Sequence, residues 1–248
     1  MAIVIVVVGL LVGGGLTAIS PVIDSSRITE TKQKMATIES AILGYVITNG
    51  CLPCPADTLQ ASTAATAGRS NGTTHYTSGC AGPCDATVVG AGIVPWVTLG
   101  LSEDAVTDGW GRRMRFAIAP SRAAAATYAG GMVRSTSSSP QFPADASIDI
   151  ENTAGTAQIT DNVAYVIVSH GRDGSFGEAA GSGSAQASKF GQTTGSNGQG
   201  ENDGTDLIFA SGSPSPAQDT GYFDDFVVYR TIGQLILSCG TGTCGNPS

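Results

Sequence analysis

Residues 24–49 read DSSRITETKQKMATIESAILGYVITN, and this stretch decides how the chain folds. Ile28, Met35, Ile38, Ile42, Tyr45 and Val46 recur at spacings of 3, 4 and 7, which draws one apolar stripe along a helix. Gly50 and then Pro53 supply its stop. Upstream, residues 1–19 (MAIVIVVVGLLVGGGLTAI) carry no charge, and the first charged side chain is Asp24. An uncharged helix of that length, rising about 1.5 Å per residue, nearly crosses a ~30 Å hydrocarbon core. A cleaved secretory signal would place a basic segment ahead of the apolar run, but no Lys or Arg precedes it. A buried strand would be far shorter. The pattern therefore predicts one helix from near Met1 to near Asn49, kinked at Pro21. Its first half (1–22) is apolar all round, and its second half (23–50) is amphipathic and suited to docking on a globular head (51–248).

Composition narrows the function classes. Of 248 residues only 13% are charged, 34 are Gly, and the net charge is −8. A lightly charged acidic chain lacks the clustered Lys and Arg that track a phosphate backbone, so no nucleic-acid contact is expected. Six cysteines fall in three close pairs: Cys51 and Cys54, Cys80 and Cys84, Cys239 and Cys244. Behind an export-type apolar segment an even count favours disulfides. Zinc is the alternative for the first two pairs, with His75 the one histidine nearby. The pairing is open, since six cysteines allow 15 connectivities, although Cys239 and Cys244 can close a local terminal staple.

In the head, residues 51–57 (CLPCPAD) form an ordered Pro-rich loop. Residues 58–92 are Ala-, Ser-, Thr- and Gly-rich, a long loop that disulfides would pin. Trp96 and Trp110 read as packing residues. Asp108-Gly109 with Gly111 marks a turn, and residues 113–119 alternate like a strand. Residues 163–169 (VAYVIVS) are the strongest strand signal, continuous and β-branched. Residues 174–203 are low in complexity and read as either a flexible surface excursion or a loop tied by an ion. Residues 207–210 and 223–229 read as the last strands. The expectation is an α+β unit, with a long N-terminal helix on a small antiparallel sheet of about four strands.

An apolar AIVIVVVGLLVGGG run, a proline about a turn later and an amphipathic helix leading into a Cys/Pro-rich head resemble the type IV pilin and type II secretion pseudopilin superfamily. CLPCPAD, VPWVTLGL and DGWGRRMRF, in that order, resemble a branch carrying LPCP, PW-x-TLGL and D-x-WG-x-R motifs. In that family a Glu stands directly before the apolar run, behind a basic leader and a peptidase site, so those features would fall immediately ahead of Met1. The resemblance implies a pilin-like head and a filament subunit, with Ile3, Val4, Val8, Leu11 and Pro21 in the membrane and assembly segment. It implies residence in a bacterial inner membrane as a single-pass protein with a periplasmic head, then a place in a filament outside that membrane. The partners implied are other pilin-like subunits and an inner-membrane assembly platform with its ATPase. A minor tip subunit that binds a surface or an exported substrate is the alternative. In the branch the first Cys of CLPCPAD is often another residue, which implies that Cys54 pairs with Cys80 or Cys84.

Three constellations invite chemistry. The CxxC of Cys51 and Cys54 is a thiol-oxidoreductase spacing, but it follows a helix instead of opening one, so the helix N-terminus that lowers a thiol pKa is missing. Ser169 and His170 are neighbours in a strand pattern, and side chains there alternate between faces. No catalytic constellation emerges, and the reading is non-enzymatic. The third is SHGRDGSFGEAA with GENDGTDLIF. Hard cations take six to eight oxygen ligands from carboxylates and loop carbonyls. Asp173, Glu178, Glu201, Asp203 and Asp206 supply carboxylates in Gly-rich backbone, and the segment resembles the calcium loop of major pseudopilins, carried here by Ser169, Gly171, Asp173, Gly174, Asp203 and Asp206. Calcium is the one cofactor so implied, and a solvated acidic loop is the alternative. Asp224 and Asp225, neighbours in the last strand pattern, are expected on opposite faces with one exposed, and the resemblance implies a structural turn there.

Overall fold

The computed structural model describes residues 19–49, 51–58, 60–71, 84, 92–119, 133–134, 140–141, 148–181, 198–203, 206–215 and 221–239. Helix α1 spans Ile19–Asn49. From Thr31 onward it buries one stripe, Thr31, Met35, Ile38, Ile42 and Val46, which follows the 3-4 spacing of the sequence. Burying each of the apolar side chains Met35, Ile38, Ile42 and Val46 contributes roughly 1.5–3 kcal/mol. Before Thr31 none of the helix side chains described is buried, and Val22 and Ile23 are 68% and 45% exposed. No helix of the described residues is long and apolar enough to cross a membrane. The apolar run itself, with Ile3, Val4, Val8 and Leu11, lies outside the described residues. So does the chain on the N-terminal side of Pro21 beyond Ile19, and with it the expected kink.

The strands are β1 (Arg112–Arg113), β2 (Arg115–Ile118), β3 (Val133–Arg134), β4 (Pro140–Gln141), β5 (Ile148–Glu151), β6 (Gln158–Ser169), β7 (Glu178–Ala179), β8 (Ile208–Ala210) and β9 (Phe226–Thr231). Two 3-10 turns cover Asp104–Val106 and Gly198–Asp203, and helix α2 covers Ile232–Cys239. Strand β6 is the spine of a five-stranded sheet. It pairs antiparallel with β2, β5 and β9, while β8 joins the outer edge of β5 in parallel. The expected purely antiparallel sheet of about four strands is therefore corrected to a mixed sheet. The physical reason is connectivity. The chain leaves β6 on a long excursion before β8, long enough to bring β8 back in the direction of β5.

Alternation along the strands sorts side chains to two faces. Phe116 and Ile118 of β2 and Phe226 and Val228 of β9 join the α1 stripe in one core. Ala117 of β2, Val166 and Val168 of β6 and Val227 and Tyr229 of β9 enter a second cluster with Ile148, Ile150 and Phe209. A polar clamp crosses the first interface: Glu39 on α1 accepts from Arg230 Nε at 2.9 Å and from Tyr165 Oη at 3.5 Å. Trp96 is buried in the first core, and Arg113 lies over its ring, 5.1 Å from the centroid. Trp110 is half-buried and stacks on Phe226, with ring centroids 6.1 Å apart.

Cys54 and Cys84 form a disulfide across a sequence separation of 30. Cys51 is also disulfide-bonded. The two cysteines of the CxxC are thus not joined to one another, and both are fully buried. Cys80, Cys244 and His75 lie outside the described residues, as does the side chain of Cys239.

Candidate functional site

A polar corner of the head forms where four segments meet: the turn at 108–112, the loop 169–177 after β6, the Gly198–Asp203 turn, and the run 222–225 into β9. The first segment is organised by Asp108, which is 3% exposed. Its Oδ1 accepts from the backbone N–H groups of Trp110 at 2.9 Å and Arg112 at 3.0 Å. Its Oδ2 accepts from Ser169 Oγ at 2.8 Å, which ties the turn to the end of β6. Gly109 backs directly onto α1: a Cβ there would stand 2.6 Å from the carbonyl oxygen of Arg27. Its N–H donates instead to Thr31 Oγ1 at 3.0 Å. The DGWGRR sequence therefore combines a turn, a close helix approach and one cation, Arg112, that enters the corner, while Arg113 turns to Glu103, Gln60 and Ser62.

Arg112 is the pin of the second segment. Its Nη1 donates to the carbonyl of Gly171 at 2.9 Å, and its guanidinium lies where a Cβ on Gly174 would have to be. Gly174 also has φ +66°, a backbone region that suits glycine. Asp224 closes the loop from the other side. It accepts from the backbone N–H of Arg172 at 2.8 Å and of Asp173 at 3.0 Å, and from Tyr222 Oη at 3.0 Å. Gln199 Nε2 donates to Asp224 at 2.6 Å and, more weakly, to Asp173 at 3.4 Å. Burial, and then the neighbouring Asp173 charge, push the Asp224 carboxyl up to about 6. Tyr222 is likewise raised, by burial and then by Asp224.

Asp225 faces inward. It accepts from Asn202 Nδ2 at 2.8 Å and lies 3.7 Å from His170 Nδ1. Burial raises its carboxyl, opposed by His170 and Asn202. Asn202 in turn accepts from the backbone N–H of Ala210 at 2.9 Å, which fastens the Gly198–Asp203 turn to β8. The Asp224-Asp225 pair precedes β9, so its side chains are not alternated by a strand. Both enter the corner, and neither is exposed.

The residues expected to hold calcium occupy this region but are engaged separately. Asp173 accepts from the Ser175 backbone at 2.9 Å and its hydroxyl at 2.8 Å. Asp203 is ion-paired to Arg115 at 2.7 Å. Asp206 accepts from the Ile208 N–H at 3.3 Å, at the start of β8. Glu201 is raised to about 7 by burial first and then by Asp206 and Glu151. Among the described residues no group of three or more His, Cys, Asp or Glu side chains is placed to hold a metal ion. The Arg115 guanidinium stands at Asp203, and the Ser169 hydroxyl donates a hydrogen bond to Asp108.

Among the described residues the corner is braced by hydrogen bonds between its segments. The hydroxyls of Ser169 and Ser175 belong to completely buried residues and donate to Asp108 and Asp173. His170 is buried against Asp225. Residue reasoning from the sequence did not anticipate Gln199 or Asn202, which sit in the low-complexity stretch and carry no local signal. Asp108 was legible only as a turn. The chain matches no protein-family model, no curated protein and no solved structure in comparison.

Proposed function

We propose that this chain is a structural subunit of a type II secretion or type IV pilus-like filament, a pseudopilin or minor pilin, held in a bacterial inner membrane by residues 1–22 until it assembles. The observation that supports this reading most is the division of α1. From Thr31 to Val46 one stripe is buried in the head, whereas Val22 and Ile23 are exposed apolar residues that none of the described residues buries. That uncovered part leads straight back into the uncharged run of residues 1–18. A helix that is half scaffold and half free can sit in lipid and then pack against helices of other subunits, with heads outward. Head-to-tail contacts that do not close produce an open filament. The LPCP, PW-x-TLGL and D-x-WG-x-R motifs support the same reading. The buried disulfide between Cys54 and Cys84 suits the oxidising compartment where such a head would reside. The proposal assigns the chain no reaction and no cofactor.

Fractionation of bacteria producing the full chain tests it. The chain should stay with the membrane through carbonate extraction and be released by detergent. Chains with single cysteines at Val22 or Ile23 should cross-link to other filament subunits in sheared material. A chain found only in the soluble fraction, with no cross-link at either position, would sink the proposal.

A further inference from the structure

Strands β2, β8 and β9 each pair with a single strand of the main sheet, and two of them are closed on their other side. Beside β2, Ile93 bridges Arg115, and the Phe116 N–H donates to the Gly92 carbonyl at 2.9 Å. Beside β8 stands the Gly198–Asp203 turn, whose Asn202 accepts from the Ala210 N–H at 2.9 Å, while Asp206 accepts from the Ile208 N–H at 3.3 Å. Strand β9 pairs with β6 alone. Among the described residues no strand, loop or side chain hydrogen-bonds the backbone on its outer side before Thr231, whose N–H donates to Gln234 Oε1 at 3.0 Å. In an antiparallel ladder every second residue turns its N–H and C=O away from the partner. All six residues of β9 are half-buried, whereas residues 163–169 of β6 beside them are buried.

Such an edge is roughly 20 Å of backbone without a protein partner, and proteins blunt one with a proline, an outward charge or a cover. Strand β9 (FVVYRT) contains no proline. Its one charge, Arg230, is drawn back to Glu39 on α1 at 2.9 Å. Asp224 and Asp225, just before the strand, turn into the polar corner and are occupied there. On α1 Glu30 pairs with Lys34 at 2.9 Å, and exposed Lys32 has no ion pair among the described residues. Lys32 Nζ stands 5.6 Å from the centroid of the Phe226 ring, at the first residue of the open edge. The edge is therefore cationic in a chain of net charge −8. Two β9 edges paired antiparallel over their full length would set Lys32 of one copy beside Arg230 of the other, so a second copy fits the edge poorly.

We propose that the outer edge of β9 is a strand-addition site for an extended acidic segment of another polypeptide. The added segment runs antiparallel to β9. Its backbone takes the outward N–H and C=O groups between Phe226 and Arg230, and its side chains alternate between the two faces of the sheet. Antiparallel pairing brings its C-terminal end beside Phe226, where a carboxylate meets Lys32. Backbone pairing supplies the affinity and tolerates sequence, while Lys32 selects the charge. The site stands apart from the filament reading, since the edge is open in the head whatever the apolar lead-in does.

Hydrogen exchange on the full chain in detergent micelles tests this with a terminally blocked peptide of alternating threonine and valine that ends in glutamate. At saturation the outward amides of β9 should exchange about tenfold more slowly, while those of β2 and β8 stay level. The same peptide N-methylated at the residues that face β9 has no N–H to give and should bind about tenfold more weakly. Exchanging its final glutamate for lysine should weaken binding to the wild type about fivefold. In Lys32→Glu, a change at an exposed helix position, that preference should reverse. No slowing at β9, or equal binding of the N-methylated peptide, overturns the proposal. So does equal binding of the two endings to the wild type, which would leave Lys32 without a role. Slowing at β9 that grows with protein concentration and needs no peptide would assign the edge to a second copy and overturn it as well.

Discussion

Replacing Asp108 by Ala tests whether the turn at 108–112 holds the corner together. The carboxylate accepts three hydrogen bonds, from the backbones of Trp110 and Arg112 and from Ser169 Oγ. Bonds to a charged acceptor contribute about 1.5–3 kcal/mol each, and the donors left behind lose less wherever water reaches them. Ser169 is completely buried, so its hydroxyl has no such relief. The two amides are in a half-buried turn and keep part of theirs. The expected cost of Asp108→Ala is about 3–5 kcal/mol. Asp108→Asn keeps an oxygen for both amides and turns an N–H₂ towards Ser169, whose oxygen can accept; its cost should be about 1 kcal/mol. Urea unfolding of the full chain in micelles, followed by tryptophan fluorescence, separates the two. With a slope of about 2 kcal/mol/M the midpoint should drop by about 1.5–2.5 M for Ala and about 0.5 M for Asn. An Ala variant within 1 kcal/mol of wild type, or an Asn variant as damaged as Ala, refutes the reasoning.

The other expectations concern separate parts of the fold. Cys84→Ser opens the bridge to Cys54, whose sequence separation is 30. Chain entropy puts the loss at about 3.6 kcal/mol, visible as a lower unfolding midpoint that reductant also produces in the wild type. Ile38→Ala and Ile42→Ala, both at fully buried positions, should each cost about 2–5 kcal/mol in the same unfolding assay. Val22→Ala and Ile23→Ala, on the uncovered turns, should leave head stability within about 0.5 kcal/mol of wild type while weakening recovery in sheared filaments. Gly109→Ala should prise the turn off α1, because its Cβ meets backbone atoms of Arg27 that cannot swing away. Cross-linking between cysteines at positions 27 and 110 should fall in that variant.

Much of the architecture follows from local pattern. The stripe through Met35, Ile38, Ile42 and Val46 needs only helical spacing, and residues 163–169 announce a strand through branched apolar side chains alone. Strand β6 nevertheless begins five residues earlier, at Gln158. Its exposed first half is held by pairing with β5 and not by apolar character. Residues 232–237 continue the apolar character of β9, but the backbone turns into α2 there. Thr231 and Gln234 hydrogen-bond one another's backbone at that start, which is a capping exchange that a hydropathy pattern does not show.

Periodicity reports which face of an element is apolar, because that depends only on neighbours three, four or two residues away. The sequence by itself therefore determined the amphipathic helix, its uncharged lead-in and the main strand. Tertiary structure alone decided the parallel pairing of β5 with β8, the choice of Cys84 for Cys54, and the capture of Asp203 by Arg115 across 88 residues. It also decided that Glu178 lies buried without a donor while Asp224 gathers four. Each of these depends on segments distant in the chain arriving at one place, and a carboxylate's partner and exposure are properties of that place rather than of the residues beside it in sequence.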